Sequence, residues 1–202
     1  MKPKILIAVP TMGYVHAYLV NIILGWVAAA MQHGRYSLNF YTTVNVQPVD
    51  NARNEIVEEF LRGDSTHLLF IDSDTLPPLD AIEKMLAHDK DIVTGITAIV
   101  ESDDGLNFYR KWNVVGMNDK HVQAHTGFFQ AKACGSSFLL IKRKVFEGLP
   151  KPHYRFLYTD SAKGEPVIVS EDIHFTANAT DAGFELWVDT ELIAKHYKPT
   201  LW

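Results

Sequence analysis

Two carboxylates spaced two apart close a run of apolar residues: Leu68-Leu69-Phe70-Ile71 leads straight into Asp72-Ser73-Asp74. Charge at the end of a strand that reads as buried needs a partner, because an isolated buried carboxylate is strongly disfavoured. Hard divalent ions such as Mg²⁺ and Mn²⁺ prefer oxygen ligands and commonly bind one or two carboxylates together with diphosphate oxygens. Asp72 and Asp74 are therefore candidate metal ligands, and an ion between them would anchor a pyrophosphate that their own charge repels. The competing reading is that both aspartates cap the turn before Pro77.

Other chemistry-bearing residues also fall at element ends. Arg53, in Asp50-Asn51-Ala52-Arg53-Asn54, carries a planar fork that suits phosphate oxygens, or forms a surface salt bridge with Glu55 or Asp50. Glu171 and Asp172 follow Ser170, where negative charge offsets a helix dipole. Gly135 and Ser136, in Ala133-Cys134-Gly135-Ser136-Ser137, let a ligand approach the backbone closely or form a plain tight turn. His196 offers an imidazole that Mn²⁺ accepts, with a structural histidine as the alternative. Cys134 has no histidine in recognisable relation to it and is not a candidate nucleophile.

The elements that must position these residues alternate. Residues 4–9 form a β-branched run stopped by Pro10, and residues 15–33 have helical length and end at Gly34. Residues 37–44 form a second strand. Asp50 or Asn51 caps a helix through residues 55–61, residues 67–71 give a third strand, Pro77-Pro78 opens a helix over 79–88, and 92–98 is a fourth strand. This alternation predicts a mostly parallel α/β sheet with helices on its faces, and ligands at the carboxyl ends of its strands. Residues 101–130 read as loops and hairpins, 133–141 as strand-like, and 156–169 as a flexible loop. A helix over 171–181 follows, then short strands at 185–188 and 192–197.

With 202 residues, the chain has room for one domain with a full core. Residues 1–100 form one half and 101–202 the other. Nineteen basic against 24 acidic residues give a net charge of −5, so no general attraction draws it to nucleic acid or anionic lipid. Locally, Lys142-Arg143-Lys144 and Arg110-Lys111 could attract a polyanion, or be solvated loops and helix ends. One cysteine excludes an intramolecular disulfide, which suits a reducing cytoplasm. Pro10 stops the first apolar run with no cleavage site after it, and the apolar stretches of residues 14–31 fall short of the ~20 residues that span a bilayer. Neither a signal peptide nor a transmembrane segment is expected.

The chain resembles the GT-A nucleotide-sugar glycosyltransferases, in particular the broad family-2-like group. Four features carry the resemblance: Val9-Pro10-Thr11, the helix start around Arg53, Phe70-Ile71-Asp72-Ser73-Asp74, and Ser170-Glu171-Asp172. It implies a single GT-A domain with a donor-binding first half and an acceptor-side second half. Asp72, Ser73 and Asp74 would meet metal and donor, Pro10, Thr11 and Asn45 would line the nucleotide pocket, and Arg53 would contact the diphosphate or base. His196 would be a third metal ligand, with Lys195 or Lys198 as alternative phosphate contacts. Gly135 and Ser136 would border the donor sugar. In inverting members Asp172 would be the general base, with Glu171 touching the acceptor.

The implied reaction moves a sugar from a nucleoside-diphosphate donor, a UDP-sugar by resemblance, to an acceptor hydroxyl with Mn²⁺ or Mg²⁺. The acceptor stays open among a glycan, a small molecule, a protein and a hydroxylated nucleobase. A nucleotidyltransferase would want a glycine-rich phosphate loop after the first strand, where Val9-Pro10-Thr11-Met12-Gly13 offers one glycine and no lysine. The third reading is a non-catalytic sugar- or nucleotide-binding module, in which Phe108, Tyr109, Trp112, Phe128 and Phe129 stack on ligand.

Overall fold

Alternate residues of the first and third strands face two different cores, and that alternation sets the layers. The computed structural model describes residues 2–102, 108–122, 126–160 and 164–197. In β1 (Lys4–Thr11) and β3 (His67–Ile71), Leu6, Ala8, Leu68 and Phe70 enter one apolar cluster. Ile5, Ile7, Val9, Leu69 and Ile71 enter the other. Strands buried on both faces read as continuous apolar runs, because a helix layer covers each side.

Helices α1 (Ala17–His33) and α3 (Ala81–His88) supply Leu19, Trp26, Ile82 and Met85 to the second cluster. The first cluster takes its helical residues from α2 (Val49–Arg62), α4 (Arg143–Glu147) and α5 (Glu171–Asp181), through Ile56, Phe60, Phe146 and Phe175. None of these helices is long and apolar enough to cross a membrane.

The remaining strands are β2 (Ser37–Val44), β4 (Thr75–Leu76), β5 (Ile92–Ser102), β6 (Phe108–Trp112), β7 (Val114–Gly116), β8 (Phe128–Cys134), β9 (Phe138–Lys142), β10 (Leu157–Asp160), β11 (Pro166–Val169) and β12 (Leu186–His196). The main sheet runs β2-β1-β3-β9-β5-β12-β8-β7. Six of these eight strands point one way, β9 and β8 being inverted, so the expected mostly parallel α/β sheet is present.

Several expected boundaries move. α2 begins after Pro48 rather than at an Asp50 or Asn51 cap, and Asp50 sits in its first turn, where its charge favours the dipole. The strand-like stretch 133–141 is the end of β8 and most of β9, two strands that do not pair with each other and are parted by Gly135, Ser136 and Ser137. Residues 156–169, expected as a flexible loop, hold the β10–β11 hairpin, which stands off the main sheet. The two expected C-terminal strands are one strand, β12, whose register against β5 shifts between Val188 and Ile193. Gly95 makes that shift possible, since a Cβ there would overlap the Leu192 carbonyl and the Phe138 ring.

Candidate functional site

Because β1 and β3 are parallel neighbours, Pro10-Thr11 and Asp72-Ser73-Asp74 emerge at the same edge of the sheet. A cleft of about 580 Å³ opens there, lined by Pro10, Thr11, Met12, Tyr14, Val46, Gln47, Pro48, Val49, Ala52, Arg53, Asp72, Ser73, Asp74, Phe156 and His196. This is where an open α/β sheet binds ligands.

The backbone of the acidic motif is tied down on every side. The Asp72 N–H donates to Ser137 O at 3.0 Å, the His16 N–H to Ser73 O at 2.9 Å, and the Tyr197 N–H to Asp74 O at 2.9 Å. Strand β4 pairs Thr75 with His196 and so brings the C-terminal strand alongside the motif. His196 Nε2 lies 3.2 Å from Asp74 Oδ2 as a result. These residues are more than 120 positions apart in the chain.

Arg53 is the hub of the site. Its side chain is only 4% exposed, and it joins Asp72 Oδ1 through Nη2 at 3.1 Å and Glu171 Oε1 through Nε at 3.0 Å. Its guanidinium also lies over the Phe70 and Tyr154 rings, at 5.3 and 5.8 Å. Burial penalises this cation, but Asp72 first, then Tyr154, Asp172 and Glu171, outweigh the penalty and hold its pKa above the ordinary value. Burial, aided by Asp172, pushes the Glu171 carboxyl up despite Arg53. The surface pairing of Arg53 with Glu55 or Asp50 is not formed; a buried Asp72–Arg53–Glu171 bridge takes its place.

Asp172 sits beside this bridge. Its Oδ1 accepts from Ser170 Oγ at 2.5 Å and the Ile173 N–H at 2.7 Å, and its Oδ2 accepts a longer bond from the Ser136 N–H at 3.3 Å. The turn that delivers Ser136 depends on Gly135, where a Cβ would overlap the Asn113 side chain and stand 3.2 Å from Asp172 Oδ2.

Several expected site residues lie elsewhere than in the cleft. Ser136 is fully buried, with Oγ 3.4 Å from the Tyr154 hydroxyl, and neither it nor Gly135 lines the cleft. Glu171 is 5% exposed and turned to Arg53 rather than to an acceptor. Asn45 is exposed and in the left-handed region at φ 57°, and its N–H holds Thr11 O at 2.8 Å; Val46 to Val49 line the cleft in its stead. The Thr11 hydroxyl donates to Tyr14 O and accepts from the Gly13 and Tyr14 N–H groups, so it shapes the 11–14 turn.

The remaining candidates resolve in the same way. Burial raises the Cys134 thiol pKa far above its ordinary value. Lys142 pairs with Asp89, Lys144 with Asp91, and Arg143 donates to four backbone carbonyls, which accounts for that basic run structurally. Phe128 is sandwiched between His88 and Trp187 at 3.8 and 4.7 Å, and Trp112 and Phe129 pack on the core. Lys198 and the side chains of Phe108, Tyr109, Arg110 and Lys111 lie outside the described residues.

Of the candidate metal donors, the structure brings the side chains of Asp74 and His196 together. Among the described residues no group of three His, Cys, Asp or Glu side chains converges in metal-ligand geometry, since Asp72 is turned to Arg53. Two protein donors fit an octahedral ion that takes its other ligands from diphosphate and water. Tyr154, Asn113, Ser170 and Phe156 complete the surroundings, and sequence reading missed all but Ser170, which stands at the start of α5 and donates to Asp172. A signal for burial of Arg53 was present: it falls on the 53, 56, 57, 60 stripe of α2, whose other members are apolar.

No protein-family model matches the sequence, and no curated protein matches it. Solved structures match its fold at low identity. A197 from STIV superposes with a TM-score of 0.61 at 19% identity, over 97% of this chain and 86% of its own. Mannosyltransferase PcManGT from Pyrobaculum calidifontis, in complex with GDP-Man and Mn²⁺, superposes at 0.53 and 14% identity over 99% of this chain. The 1–349 portion of S. aureus TarS superposes at 0.53 and 13% identity over 96%. This chain spans 58% and 60% of those last two, less than two thirds of either. The chain therefore shares its α/β fold with these structures, among them a mannosyltransferase solved in complex with GDP-Man and Mn²⁺.

Proposed function

We propose that this chain is a glycosyltransferase that moves a sugar from a nucleoside-diphosphate donor to an acceptor hydroxyl. The observation that carries the reading is the cleft at the carboxyl ends of β1 and β3, where Asp74 meets His196 and the acidic motif is braced through Arg53 to the start of α5. Pro10, Val46, Pro48, Val49 and Ala52 give that cleft an apolar wall for a nucleoside.

Asp74 and His196 would hold a Mn²⁺ or Mg²⁺ ion, which neutralises charge on the leaving diphosphate. Arg53 keeps Asp72 in place and contributes positive charge at the cleft wall. Asp172 takes the proton of the acceptor hydroxyl in the inverting version of the reaction. Its Oδ2 is suited to this, because that oxygen carries only the long bond from Ser136 while Oδ1 accepts two short ones. Glu171 acts through Arg53 and does not touch the acceptor.

UDP-sugars are the first donors to try, from the family resemblance, and GDP-mannose the second, from the mannosyltransferase of like fold. The test is sugar-nucleotide hydrolysis across such a panel with Mn²⁺, with Mg²⁺ and with chelator. Metal-dependent release of a nucleoside diphosphate supports the reading. Binding without turnover, unaffected by chelator, would leave a sugar-nucleotide-binding module in its place.

A further inference from the structure

A second cleft, of about 440 Å³, lies against α5 and shares no lining residue with the donor cleft. Its polar lining is Lys151, His153, Arg155, His174 and Asn178, with no carboxylate among the described residues. The acids next to it in sequence are engaged elsewhere, Glu147 with Arg143 and Asp181 with Lys132.

Arg155 uses Nε to donate to His174 Nε2 at 3.4 Å. Among the described residues neither its guanidinium nor the Lys151 ammonium has an ion-pair partner, whereas the neighbouring cations Lys132, Lys142, Arg143 and Lys144 all do. His174 is 7% exposed, and burial, then Arg155, lowers its pKa, so it serves as the neutral acceptor that fixes the guanidinium. His153 closes the wall through Nε2 on Phe146 O at 3.0 Å. Two cations in one concavity with no counter-ion among the described residues concentrate positive potential there. In a protein of net charge −5 that needs a reason.

We propose that this cleft is an anion site for a phosphoryl group, gripped by the Arg155 fork with Lys151 as the second charge. Its volume exceeds that of a phosphate ion, so the group belongs either to a small phosphorylated ligand such as an acceptor or to free phosphate. The site stands independently of the donor reading, because its residues are different ones.

The test follows the His174 imidazole by NMR in the full chain titrated with inorganic phosphate and, separately, with ribose 5-phosphate. The Asp74→Asn variant serves as a control that alters only the donor cleft. The expected result is a saturable shift at millimolar phosphate that persists in Asp74→Asn and weakens about tenfold or more in Arg155→Gln, whose exposed side chain can change without loss of the fold. Tighter binding of the sugar phosphate assigns the site to a phosphorylated ligand, and equal binding assigns it to the free anion. A His174 resonance that phosphate does not move, or one that moves equally in Arg155→Gln, overturns the proposal.

Discussion

Arg53 binds one carboxylate from the end of β3 and another from the start of α5, so the charge state of the site depends on a single cation. Removing it leaves Glu171 buried without its counter-charge, and breaking such a pair typically costs about 3–5 kcal/mol. Arg53→Met is therefore expected to lower unfolding free energy by that order in urea titrations. Arg53→Met combined with Glu171→Met is expected to regain much of the loss, since apolar groups of similar size replace the pair. A single variant as stable as the parent would show that the bridge is not formed in solution. Asp74 is different, with a side chain 35% exposed and a role at the cleft surface. Asp74→Asn should abolish metal-dependent turnover while the thermal transition stays put, and full activity would remove Asp74 from the metal site. Asp172→Asn should lower transfer about 10²–10⁴-fold with donor affinity retained. Loss of donor affinity instead would make Asp172 a structural residue.

At the scale of elements, the sequence showed most clearly what local pattern decides. Strands β2 and β3 and helix α5 stand where alternation, apolar runs and the Ser170-Glu171-Asp172 start put them, although the Ser170 hydroxyl donates to Asp172 rather than capping the helix. The β10–β11 hairpin was not legible, because its residues are largely exposed and so carry no burial pattern. The single strand β12 was hidden by its register shift, which depends on Gly95, nearly a hundred residues away. Long-range pairing of that kind leaves no local mark. The acidic motif was legible as chemistry, but its partner His196 became one only through the β4–β12 pairing. Gly135 shows how an element boundary controls the site. In Gly135→Ala the new methyl group must displace Asn113, moving the turn that points the Ser136 N–H at Asp172. The expected outcome is lost transfer with donor binding largely retained, read by kinetics beside donor titration. Unchanged kinetics would mean that the turn yields freely and does not position Asp172.

For the whole molecule, stability should depend on acidity through a histidine far from the proposed chemistry. His67 opens β3, opposite Lys142 of β9, with Nδ1 2.8 Å from Thr66 Oγ1. Burial, reinforced by the Lys142 charge, lowers its pKa from 6.5 to about 4. Between those two values the unfolded chain binds a proton that the folded chain refuses. Stability is thus fully present above about pH 6.5 and drains away as pH falls toward 4, by up to ~3 kcal/mol for a shift of this size. The sequence offered only one of nine histidines here, because the effect needs the fold to bury it and then to set Lys142 beside it. His67→Gln removes the titrating group while keeping a polar side chain near Thr66. Its unfolding free energy, measured by urea titration at several pH values, should fall less steeply than the parent's across that window. Parallel curves for the two proteins would place the acid sensitivity in other groups and show that His67 protonates as readily folded as unfolded.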